Sequence, residues 1–204
     1  MKNVLKLSLC MLALALFAFA PNSEKKGEEI VVVIDVSHGG DDAGVQVSSL
    51  SEKELVQQIA KRIEELNSYS NLKIHFTRTS DFNASLTQRV DFISDIQPDL
   101  VISLHINESK NTDASGAELY TSTKSARFSQ SDAFAKRLQS ALLKTSLQQV
   151  QLKNADFYIL KKSEAPTVLL QLGYLTNSVD RKLLMDPSTQ DAIAHSILKF
   201  LSEI

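Results

Sequence analysis

Short apolar runs alternate along this chain with segments whose apolar residues recur every three to four positions. The first pattern marks strands and the second amphipathic helices. Ile30–Val36 is apolar except for Asp35, as expected of a strand covered on both faces. From Ser51 to Asn67, Leu55, Ile59, Ile63 and Leu66 form one helical stripe. Leu72–Thr77 predicts a second strand and Leu86–Ile96 a second helix. Asp99–Leu104 and Ala117–Tyr120 follow as strands, then Ser131–Thr145 as a helix with Phe134, Leu138, Ala141 and Leu142 on one side. Thr167–Leu172 predicts another buried strand, followed by helices over Val179–Met185 and Gln190–Ile204. Such alternation predicts an α/β fold: a single domain with a mostly parallel central sheet flanked by helices on both faces.

The first 20 residues depart from this pattern. Lys2 and Lys6 introduce an apolar run from Leu7 to Ala20 that ends in Ala18-Phe19-Ala20, the build of a secretory signal. Pro21 sits awkwardly for cleavage there, so an uncleaved N-terminal anchor is the alternative. The run is short beside the ~20 residues of a spanning helix. Residues 21–29 are polar and form a tether, and 30–204 form the domain. Cys10, the single cysteine, falls in the leader, so the domain has neither a disulfide framework nor a thiolate ligand. The chain carries 22 Lys and Arg against 24 Asp and Glu. With no basic run and few aromatics, nucleic acid binding is not expected.

Candidate chemistry gathers at strand ends, where open α/β sheets bind their ligands. His38 closes the first strand and His105 the third. Two imidazoles and a carboxylate suit a catalytic zinc site, which takes three nitrogen or oxygen ligands and keeps one position open. Gly39 and Gly40 would let the backbone bend closely around an ion. Ser51 and Glu54 have the spacing of a capping box, and Leu50 and Leu55 that of a hydrophobic staple. Glu54 then has a structural task, while Glu52 is free to face the loop after His38. The bland alternatives stay open: either histidine serves as a hydrogen-bonded residue, and Glu52 only complements the helix dipole. His75, on a strand, and His195, in the last helix, are weaker candidates.

The segments V-I-D-V-S-H-G-G, S-E-K-E-L, T-R-T-S-D…L-T-Q-R-V, S-L-H-I-N, G-A-E-L-Y and P-T-V-L-L-Q-L-G-Y-L-T-N occur in this order from Ile30 onward. Together they resemble the zinc-dependent N-acetylmuramoyl-L-alanine amidases of the amidase 3 type. The resemblance implies zinc held by His38, Glu52 and His105. It also implies hydrolysis of the amide between N-acetylmuramic acid and the L-alanine of peptidoglycan stem peptides. A monomer exported to the periplasm or cell envelope is expected, touching the membrane only through an uncleaved anchor. In the family a glutamate in the late strand takes the proton of the attacking water, and Gln171 stands at that position here. An amide has no useful basicity, and losing general acid–base help costs ~10²–10⁴-fold in rate. A catalytically impaired pseudo-amidase that binds wall fragments or a partner protein is therefore the alternative function.

Three smaller features complete the comparison. Val36-Ser37 replaces the family's Pro-Gly, and Tyr174 stands where phenylalanine is usual. The segment from Thr121 to Asp156 is short beside members with an inhibitory helical insert, which implies an open cleft. Among other acids, Glu108 and Glu164 are candidate replacement bases, and Asp35 a candidate for orienting the His38 imidazole. Arg78, Asp81 and Arg89 match family positions, with an ion-paired structural role as plausible as substrate contact. Asn107 either contacts substrate or fixes its loop.

Overall fold

A computed structural model describes residues 29–147 and 149–204. The leader (1–20) and nearly all of the tether (21–29) predicted from the sequence lie outside the described residues. No described helix is long and apolar enough to cross a membrane.

Six strands form the main sheet: β1 (Ile30–Val36), β4 (Leu72–Phe76), β5 (Leu100–Asn107), β6 (Ala117–Thr121), β7 (Val150–Asn154) and β8 (Thr167–Tyr174), in the order β4-β1-β5-β8-β6-β7. The first four in that order are mutually parallel. β6 runs antiparallel to β8, and β7 parallel to β6. The start of β6 therefore lies beside the carboxyl end of β8. A two-strand hairpin, β2 (Gln46–Val47) and β3 (Leu50–Ser51), leads into helix α1 (Glu52–Leu66).

Alternate strand residues enter two separate cores, as the period of two requires. Val32, Ile34, Val36, Leu100, Ile102, Leu104 and Leu170 face the larger one, which is closed by α1, α3 (Phe128–Leu142), α5 (Ser178–Met185) and α6 (Pro187–Leu201). Val33, Val101 and Leu169 face the smaller core with Ile93 of α2 (Leu86–Ile96) and Ile159 and Leu160 of α4 (Tyr158–Lys162). On this second face the strands turn polar toward their carboxyl ends: Asp35, His105 and Gln171 continue the rows begun by Val33, Val101 and Leu169. The site occupies that change from apolar to polar.

The start of α1 differs from the sequence expectation. The Ser51 hydroxyl donates to Glu54 Oε2 at 2.7 Å and makes no capping bond to the backbone. The amides of Glu52 and Lys53 bond instead to the carbonyls of Val45 and Ala43 in the preceding loop. A true capping box forms at Ser85 and Gln88, where each side chain bonds the other's backbone N–H. The segment after Thr121 contributes α3 to the larger core and β7 to the sheet edge, as an integral layer of the fold.

Candidate metal centre

His38, Glu52 and His105 come together: each offers one ligand atom, all within 4.8 Å of one another. Glu52 is the centre of the group. It is the first residue of α1 and 2% exposed. Its Oε1 lies 3.0 Å from His105 Nδ1, and its Oε2 lies 3.1 Å from His38 Nε2. From behind, the backbone amides of Ile106 and Val45 donate to the same oxygens at 2.9 and 3.0 Å. Burial pushes the Glu52 carboxyl up. Hydrogen bonds from His105 and His38, with their charge, outweigh that and hold it far below the usual carboxylate range. A buried anion fixed in this way, with two imidazoles on its open side, is a donor set that fits a divalent metal of the zinc type.

Asp42 completes the support. Its Oδ2 lies 2.8 Å from His38 Nδ1, so both ring nitrogens of His38 face carboxylate oxygens. Burial pulls the His38 pKa down, but bonds and charge from Glu52 and Asp42 outweigh it, and the net shift is upward. With a metal on the Glu52 side, the Asp42 contact would fix the ring in its Nδ1–H tautomer, the usual carboxylate–histidine–metal arrangement. The sequence expectation assigned that orienting role to Asp35. Asp35 instead accepts from Arg89 Nη1, Thr77 Oγ1 and Ser103 Oγ at 2.7, 2.9 and 2.6 Å. Its strand position points it along the sheet face, while the turn after His38 brings Asp42 back onto the ring. The signal for Asp42 was its spacing, four residues after His38 across a Gly-Gly bend.

That bend is strained and clamped. His38 has φ 57°, the left-handed region that costs a side-chain-bearing residue about 1–3 kcal/mol. Arg89 Nη2 donates to the His38 carbonyl at 2.8 Å, and Arg78 Nη2 to the Ser37 carbonyl at 2.9 Å. Asp81 Oδ1 accepts from the Gly40 amide at 2.7 Å and Oδ2 pairs with Lys53. Arg78, Asp81 and Arg89 thus build the loop that presents His38. Gly39, at φ 130°, passes the loop so closely under Phe82 that a Cβ would meet its carbonyl oxygen at 2.1 Å. Gly44, at φ 63°, does the same beside the ligands: a Cβ there would lie 2.5 Å from Glu52 Oε2.

A cavity of about 230 Å³ opens on these residues, lined by His38, Asp42, Ser85, Leu86, His105 and Ile159 among others. A larger groove, about 420 Å³ between α3 and α6, holds no such donor set. Gln171 pairs in register with His105 on one side and Glu118 on the other. Its Oε1 is buried and has no hydrogen-bond partner among the described residues. Asn107 Nδ2 donates to Glu118 at 3.2 Å, so Asn107 is tied to a neighbouring carboxylate. Glu108 and Glu164 are both exposed. Glu164 precedes β8 and so lies at the opposite end of that strand from Gln171. His75 is on the edge strand β4 and His195 is exposed on α6; neither joins the ligand group.

A family model described as N-acetylmuramoyl-L-alanine amidase matches residues 32–203. The chain is 34% identical over 194 residues to the uncharacterized protein YqiI of Bacillus subtilis, covering 94% of this chain and 92% of that protein. It is 32% identical over 168 residues to the N-acetylmuramoyl-L-alanine amidase LytC of the same organism, covering 81% of this chain but 34% of LytC. Among solved structures, the catalytic domain of CwlV, an N-acetylmuramoyl-L-alanine amidase from Bacillus (Paenibacillus) polymyxa var. colistinus, superposes with TM-score 0.79 at 29% identity. That match covers 85% of this chain and 97% of the other. The CwlD amidase of Clostridioides difficile, solved in complex with the GerS lipoprotein, gives TM-score 0.75 at 27% identity, covering 86% of this chain and all of the other.

Proposed function

Because this chain belongs to the N-acetylmuramoyl-L-alanine amidase family, we propose that it hydrolyses the amide joining N-acetylmuramic acid to the L-alanine of peptidoglycan stem peptides. His38, Glu52 and His105 would hold a zinc ion for this reaction. The observation that carries the reading is the buried Glu52 carboxylate bridging the two imidazoles, with Asp42 on the far side of His38. When bound, zinc supplies Lewis-acid polarisation of the scissile carbonyl and acidifies an attacking water. The protein's part is to fix the three ligands and to present the substrate amide. Glu52 is held by two backbone amides, and the loop carrying His38 is clamped by two buried arginines, so little reorganisation accompanies binding. Gln171 can accept an N–H or donate to a carbonyl, but it takes up no proton at neutral pH. The chain accordingly turns over slowly.

The substrate lies outside the cytoplasmic membrane, which agrees with the leader and with action in the cell envelope or periplasm, as a monomer. The test is release of free stem peptides from purified wall sacculi by the native domain and by Gln171→Glu. Slow release by the native chain, abolished by a chelator and restored by zinc, is expected. The Gln171→Glu variant should be faster by about 10²-fold or more. Release by the variant alone would make the native chain a wall-binding protein, and release by neither would end the amidase reading.

A further inference from the structure

Glu118 is a carboxylate paired in register with Gln171, on the sheet face that carries the metal ligands, and the ligands do not use it. It is 5% exposed, and side chains from four strands donate to it. Asn107 Nδ2 (3.2 Å) and the Tyr120 hydroxyl reach Oε2, while the Tyr174 hydroxyl (2.8 Å) and Lys153 Nζ reach Oε1. The strand order makes this placement informative. β5 and β6 flank β8, so a bond from Asn107 to Glu118 sets the carboxylate over β8 itself. Glu118 is also the register partner of Gln171. The pairing of β5 with β8 shifts between His105 and Asn107, which brings Asn107 opposite Tyr174 and lets both converge on Glu118.

The sequence adds a second observation. Two departures from the family pattern fall within four residues of β8: Gln171 replaces a glutamate, and Tyr174 replaces a phenylalanine. The hydroxyl gained at Tyr174 is the one that donates to Glu118.

We propose that Glu118, reached through the Tyr174 hydroxyl, is the proton acceptor that stands in for the carboxylate missing at Gln171. This rests on the amidase reading. As the attacking water bonds to the scissile carbonyl carbon, its proton passes to the Tyr174 oxygen and the Tyr174 proton passes to Glu118. When the carbon–nitrogen bond breaks, the proton returns through the hydroxyl to the leaving amine, and both side chains end as they began. Burial pushes the Glu118 carboxyl up, but bonds from Lys153, Tyr120 and Tyr174 outweigh it and leave the pKa lowered. Glu118 is therefore ionised at neutral pH, and the donors that keep it ionised also make it a weaker base than a free carboxylate.

The experiment follows cleavage of a soluble N-acetylmuramoyl-L-alanyl peptide by the zinc-loaded native chain, Tyr174→Phe, Glu118→Gln, Gln171→Glu and the double variant Gln171→Glu/Tyr174→Phe. Calorimetric binding of the same peptide and melting temperature are measured alongside. Tyr174→Phe and Glu118→Gln should each lower kcat by about 10²-fold or more. For Tyr174→Phe, peptide affinity and melting temperature should stay at native values. The double variant should match or exceed the native rate, because a carboxylate at position 171 needs no relay. A Tyr174→Phe enzyme with native kcat, or a double variant as slow as Tyr174→Phe alone, overturns the relay. An inactive native chain beside an active double variant also overturns it, but leaves the amidase scaffold standing. Failure of every form, Gln171→Glu included, overturns the amidase reading as well.

Discussion

On the β1 and β5 side of the cleft, Glu52 and His38 are each held from more than one direction. Glu52 is bonded by two imidazoles and two backbone amides, and His38 by Glu52, Asp42 and the arginine-clamped loop. On the β8 and β6 side, Gln171 has a buried oxygen with no partner among the described residues, while the neighbouring Glu118 gathers four donors. The first half is a donor set that could hold a cation. The second presents an amide at position 171 and a carboxylate, Glu118, one strand away. On the proposed reading the two halves serve metal binding and proton transfer separately, and substitutions should separate them.

The largest effect belongs to the first half. Glu52→Gln removes the anion that both imidazoles face. Zinc content should fall from about one per chain to near zero, and wall cleavage should fall with it, as elemental analysis and the sacculus assay would record. A milder break comes from Asp42→Ala, which leaves the three ligands but frees the His38 ring. Loss of such a partner costs about 10–100-fold in metal affinity or activity, measurable by competition with a chromophoric chelator. The smallest effect lies in the second half and appears as pH dependence of stability. Because the folded pKa of Glu118 is depressed below the ordinary 4.5, its stabilisation is present above that value and is lost as pH falls through the folded pKa. Glu118→Gln should therefore lower the melting temperature near neutrality, and the gap from the native chain should shrink as pH drops below 4.5. A gap independent of pH would show that Glu118 is not held as an anion.

Much of this arrangement was legible in the sequence, for identifiable reasons. Ile30–Val36 and Leu86–Ile96 coincide with β1 and α2 because an uninterrupted apolar run and a helical stripe leave little ambiguity. The grouping of His38, Glu52 and His105 was legible because strand ends and a helix start are positions that patterning locates well. β7 was missed because Val150–Asn154 has only two apolar side chains and lies at the sheet edge. α4 was missed because a five-residue helix has too few turns to show a period. Asp35 and Ser51 were given the wrong partners for one reason. Spacing shows which groups are near in sequence, but the turn at His38 and the carbonyls of the loop decide which of them meet. Glu118 could be found only once the antiparallel placement of β6 set it beside Gln171.

The central claim is that two imidazoles and one carboxylate form a zinc site in this domain. Elemental analysis of the native domain, purified without chelator and dialysed, tests it most directly. About one zinc per chain, removable by chelator and absent from Glu52→Gln, is the predicted result. A native chain that stays metal-free when zinc is supplied, or that holds equal zinc after Glu52→Gln, would contradict it.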